Sequence, residues 1–98
     1  MANQQSKRTL QQARTTLTAP AVLAAAKVFF ARRSGIYSAF LEKEGPTHIT
    51  LRGQGGEEIA IAVSDSAGVT AVTATSYLFD QQVARFLASL PTPEEVLA

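Results

Sequence analysis

The chain has 98 residues, 46% hydrophobic and 17% charged, with nine basic and eight acidic side chains for a net charge of +1. That length suits one domain with one core, and the composition is that of a globular rather than a disordered chain. Near-neutrality withholds the basic excess of a nucleic-acid binder, and the lack of cysteine excludes disulfides, thiolate metal sites and cysteine nucleophiles.

No run approaches the ~18 apolar residues of a membrane helix. The longest, Ala19 to Ala31, is interrupted by Lys27 and runs into Arg32-Arg33. Met1 to Gln12 is polar and has no secretory-signal pattern, so a cytoplasmic address is expected, consistent with the cysteine-free composition. Residues 1–6 have no apolar anchor and are expected to form a flexible N-terminus. Residues 7–91 are expected to form a single α+β domain, and residues 92–98 a short tail.

From Lys7 to Thr18 two readings compete. Ala13, Thr15 and Leu17 share one face of an extended segment, and Thr15-Thr16-Leu17-Thr18 favours strand. Leu10, Ala13, Arg14 and the glutamines are good helix formers, which supports a helix over residues 6–14. The next element is a helix starting at Thr18, a suitable N-cap, with Pro20 in its first turn. Val22, Leu23, Ala26, Phe29 and Phe30 make its apolar stripe. Arg32 and Arg33 suit the last turn, and Gly35 the stop.

Ile36 to Lys43 reads as a strand with apolar residues on both faces: Ile36 and Phe40 on one, Tyr37, Ala39 and Leu41 on the other. Glu44-Gly45-Pro46 is the turn after it, with Pro46 suited to a strand's first position. Three further strands follow, THITLRG, EEIAIAVSD and GVTAVTATS. Ile49 and Leu51 alternate with His48, Thr50 and Arg52, and Ile59, Ile61 and Val63 with Ala60, Ala62 and Ser64. A period of two predicts a sheet with one buried face. Gly53 to Gly56 and Asp65 to Gly68 supply the hairpin turns. Tyr77 to Leu90 closes the domain as a helix with the stripe Phe79, Val83, Phe86, Leu87 and Leu90, a cap at Ser76 and a stop at Pro91. Thr92 and Glu95 have capping-box spacing, which predicts one more turn. The expected architecture is a four- or five-stranded antiparallel sheet with two helices on one face, in the order β-α-β-β-β-β-α.

The order strand, helix, four strands, helix, together with TTLTAPAVLAAAKVFF and its Ala19-Pro20 step from strand into helix, resembles the fold group shared by the TATA-binding-protein repeat and the helix-grip ligand-binding proteins. A helix-grip domain is longer and has more strands around its cavity, so a roomy pocket is not implied here. A TATA-binding protein carries two repeats and intercalating phenylalanines, a pattern this chain does not show.

Chemistry is sparse. His48 is the only histidine and has no serine or cysteine motif beside it. No histidine pair suits zinc, and Asp65-Ser66 is too sparse for a calcium loop. The glycines at 53, 55 and 56 lead into Glu57-Glu58 and a strand, not into a helix N-terminus that could cradle phosphate. No catalytic residue, metal or cofactor is therefore expected. Three surfaces remain. The small second face of the sheet, His48, Thr50, Arg52, Ala60, Ala62 and Ser64, suits a protein partner or a second copy, with Arg52 salt-linked to Glu57 or Glu58. A cleft at Tyr37, Leu41 and Tyr77 would suit a small hydrophobic molecule. Lys7, Arg8 and Arg14 could contact anions, although nucleic acid is not an expected partner and membrane insertion is not expected. The leading expectation is a non-enzymatic interaction domain, self-associating or a subunit of a larger assembly. The alternatives are ligand binding and nucleic-acid binding.

Overall fold

A computed structural model describes residues 9–33, 39–77 and 79–93. The elements run β1 (Thr9–Thr15), α1 (Ala19–Val28) continued by a π-helical turn (Phe29–Arg33), β2 (Ala39–Glu44), β3 (His48–Gly53), β4 (Glu58–Ser66), β5 (Val69–Ser76) and α2 (Asp80–Ala88). The α+β class, the antiparallel sheet and the two helices follow the sequence. The sheet has five strands in the order β1-β5-β4-β3-β2, every neighbouring pair antiparallel.

The alternation in β3 to β5 produces the expected two faces. Ile49, Leu51, Ile59, Ile61, Val63, Val72 and Ala74 are buried, and the residues between them are half-buried or exposed. α1 lies over β4, and α2 over β1 and β5. Their buried residues, Val22, Leu23, Ala26, Phe30, Val83, Phe86 and Leu87, share one core cluster with the inner face of the sheet. Thr18 caps α1 as expected, its Oγ1 accepting the Ala21 N–H at 3.3 Å.

Consecutive residues on an α-helix diverge by about 100°, so Phe29 and Phe30 would ordinarily leave the stripe in different directions. The wider π turn that starts at Phe29 is where both reach Phe86, with ring centroids 5.5 and 5.7 Å away.

Several boundaries differ from the sequence reading. Residues 9–15 are strand, so the helical alternative for residues 6–14 does not form. Pairing with β5 over seven consecutive residues outweighs the good local helix propensity. α1 ends at Val28, with the π turn in place of a last α turn at Arg32-Arg33. Gly35, Ile36 and Tyr37 lie outside the described residues. β2 is an edge strand in which only Ala39 is buried, so the apolar residues on its two faces do not make it a doubly covered strand. Glu44 belongs to β2, and Pro46 stands in the loop closed by the Gly45 N–H on His48 O at 2.8 Å. The second hairpin turn shrinks to Ala67-Gly68, because Ser66 still pairs with Val69.

α2 starts at Asp80, later than expected, and Ser76 is not its cap. Ser76 pairs with both Thr9 and Ile59, so the strand claims it, and its buried hydroxyl donates to Asp80 Oδ1 at 2.9 Å. Asp80 gathers two further bonds: Thr9 Oγ1 donates to its Oδ2 at 2.7 Å, and Gln11 Nε2 to its backbone oxygen at 3.0 Å. One carboxylate thus joins the first strand, the last strand and the last helix.

Candidate interaction surface

The helices leave the other side of the sheet uncovered among the described residues. Register places its side chains in rows. Leu10, Thr75, Ala60 and Thr50 form one row, Gln12, Thr73, Ala62 and His48 the next, and Arg14, Ala71 and Ser64 a third. The six residues expected on a partner-facing surface therefore lie together on two adjacent strands, with His48 opposite Ala62, Thr50 opposite Ala60 and Arg52 opposite Glu58. Alanine, serine and threonine dominate, so the face is flat and its polar groups are short.

Its charges are largely matched within the face. Arg52 donates from Nη2 to Glu42 Oε1 at 2.7 Å and from Nε to Glu42 Oε2 at 3.1 Å, a forked pair. Glu58 Oε2 stands 3.5 Å from the same Nη2. The Arg52 hydrogen bonds hold the Glu42 carboxyl below the usual glutamate range, and Glu42 in turn raises the guanidinium. Of the two partners expected for Arg52, Glu58 takes the role, while Glu57 turns its Oε1 to the Gly55 N–H at 3.1 Å. The closer partner, Glu42, has no sequence signal. It reaches Arg52 because the β2 register shifts between Leu41 and Lys43, leaving Glu42 as the extra residue of a bulge.

His48 is exposed, with its ring over Gly45. Thr50 Oγ1 is enclosed and has no hydrogen-bond partner among the described residues. Two large apolar side chains that the sequence reading did not assign to this face also border it: Leu10 is 59% exposed on β1, and Phe40, opposite Arg52, is 58% exposed on β2. For Leu10 the available signal was its polar neighbours Thr9 and Gln11, whereas Phe40 stands between Ala39 and Leu41 and gave none.

The other two candidate sites are only partly described. Lys7 and Arg8 lie outside the described residues, and Arg14 is exposed on the uncovered face of β1. Tyr37 also lies outside them. Leu41 sits at the β2 edge opposite Leu51, and Tyr77 follows the last residue of β5. A cleft of about 280 Å³ between the helices is lined by Ala25, Val28, Phe29, Phe86 and Ser89. A second, of about 560 Å³, follows β1. Neither is lined by Leu41 or Tyr77.

Among the described residues no group of three or more His, Asp or Glu side chains could hold a metal ion, and no helix is long and apolar enough to cross a membrane. Fold and surface together define an α+β domain with one sheet face covered by helices and the other uncovered among the described residues. No protein-family model matches the chain, and no curated protein sequence matches it significantly.

Proposed function

We propose that this chain is a small non-enzymatic interaction domain whose uncovered sheet face receives a protein partner, either a second copy or a neighbouring subunit of a larger assembly. The observation that carries this reading is the chemistry of that face. Ala60, Ala62 and Ser64 follow one another along β4 with Ala71 opposite Ser64 on β5, and Arg52 is matched by Glu42 and Glu58. A flat surface of short side chains and matched charge can pack against another sheet or helix with little desolvation. The element order likewise supports the resemblance to the TATA-binding-protein and helix-grip fold group, and the cytoplasmic address belongs to the same proposal.

The test is a charge placed at the centre of the face. Ala62→Lys should abolish the association made through the face, read as loss of a co-purifying partner or of the face-docked complex in light scattering, while leaving the thermal midpoint within a few degrees of the parent. A parent chain that stays monomeric and co-purifies with no protein would overturn this reading.

A further inference from the structure

The two edges of the sheet are built differently. At β2 the ladder is broken by the Glu42 bulge, and Glu42, Lys43 and Glu44 follow in succession. Bulges and charges are what prevent a sheet edge from pairing with another chain. β1 has no bulge and no run of charges. Its seven residues run in unbroken register against β5, from Thr9 opposite Ser76 to Thr15 opposite Thr70, and Arg14 is its single charge. No strand lies on its other side among the described residues. Leu10 stands 59% exposed on it, and the 560 Å³ cleft beside it is lined by Gln12, Ala13 and Arg14 together with Leu87 and Thr92.

We propose that β1 is a dimerisation edge, to which a second copy of the chain adds its own β1 in antiparallel pairing. The occupant is a second copy because the strand is complementary to itself. A two-fold axis normal to the sheet through Gln12 sets Gln12 opposite its own copy, Gln11 opposite Ala13, Leu10 opposite Arg14 and Thr9 opposite Thr15. Every residue of the strand is then engaged. The glutamines on the axis can exchange side-chain amide hydrogen bonds, and the aliphatic stem of Arg14 covers the partner's exposed Leu10. The two Arg14 charges fall on opposite sides of the axis. Parallel pairing would instead set Arg14 beside Arg14, with like charges directly opposed. Moving the axis to Leu10 or Arg14 would leave most of the strand unpaired. The proposal rests on reading the chain as an assembly module but uses the edge of the sheet rather than its face, so the two fail separately.

The chain has no cysteine, so single-cysteine variants report proximity cleanly. In the full chain under mild oxidation, Gln12→Cys should cross-link several-fold faster than Leu10→Cys or Ala62→Cys, because only residue 12 meets its own copy. Sedimentation of the parent should show a dimer. Gln12→Lys, on an exposed side chain, should weaken that dimer by about tenfold or more with an unchanged thermal midpoint, by placing two charges on the axis. Ala62→Lys should not weaken it. Equal cross-linking at all three positions overturns edge pairing. So does a dimer lost with Ala62→Lys but indifferent to Gln12→Lys, which would move self-association to the face and leave the proposed function standing. A monomer at every concentration also overturns it, while docking of a different protein on the face keeps its own test.

Discussion

Ala67 is the one described non-glycine residue with a positive φ, +55°, and it precedes Gly68 at +82°. Together they make the two-residue turn between β4 and β5, and the turn that fits the twist of such a hairpin requires positive φ at both positions. An L-residue in that region loses roughly 1 kcal/mol to crowding of its Cβ. Ala67→Gly or Ala67→Asn should therefore raise stability by about 0.5–1 kcal/mol, with the midpoint of thermal unfolding rising a few degrees. An unchanged or lower midpoint would mean that the turn relaxes around alanine without strain. A second residue-scale expectation concerns Glu42, whose folded-state carboxyl is held below its unfolded value by Arg52. Its contribution is present above the unfolded value and disappears as pH falls through the lowered folded one. Both side chains are about one-third exposed, so the contribution is small and screened by salt. An NMR titration of the Glu42 carboxyl should give a midpoint below the usual glutamate range, and Arg52→Gln should move it back up.

At the scale of elements, α2 covers the β1–β5 side of the sheet, and Phe86 is its anchor, fully buried and in contact with both Phe29 and Phe30. Phe86→Ala should cost about 3–5 kcal/mol in urea unfolding, since transfer energy is lost and a cavity remains. The neighbouring Arg85 is exposed, and Arg85→Ala should stay within about 0.5 kcal/mol. The reverse ranking would mean that the helix presents its other face to the sheet. The Phe86 stripe was legible because its apolar residues recur at helical spacing. The strands β3 to β5 were legible because their apolar residues alternate and glycines punctuate them. β1 was legible only as one of two readings, since in TLQQART one of the two apolar residues, Leu10, points to the open face. Only its partnership with β5 makes it a strand. Much of the candidate face followed from parity alone, because strand residues two apart share a side. The forked Glu42–Arg52 pair did not, because it depends on a bulge and on a cross-strand register that no local pattern specifies.

For the whole molecule, Asp80 is a long-range tie, the Thr9 hydroxyl reaching its carboxylate across 71 positions of chain. Replacing Asp80 with alanine would leave the buried Ser76 hydroxyl without its acceptor and release Thr9. An unsatisfied buried donor costs about 1–3 kcal/mol, so Asp80→Ala should destabilise the domain by that order. Hydrogen exchange should locate the loss: amides of β1 should lose protection before those of β3 and β4, because β1 pairs with a strand on one side only among the described residues and loses this carboxylate tie to α2. Uniform loss across the sheet would show that β1 and the meander open as a single unit.

The unequal edges also limit how far the sheet can grow. A sheet open at both ends would present a fresh template after each addition and extend into a fibre. Here the bulge and the consecutive charges at β2 act as a chain terminator at one end. Two copies joined at β1 would turn both terminators outward, so growth stops at two without any third element to cap it.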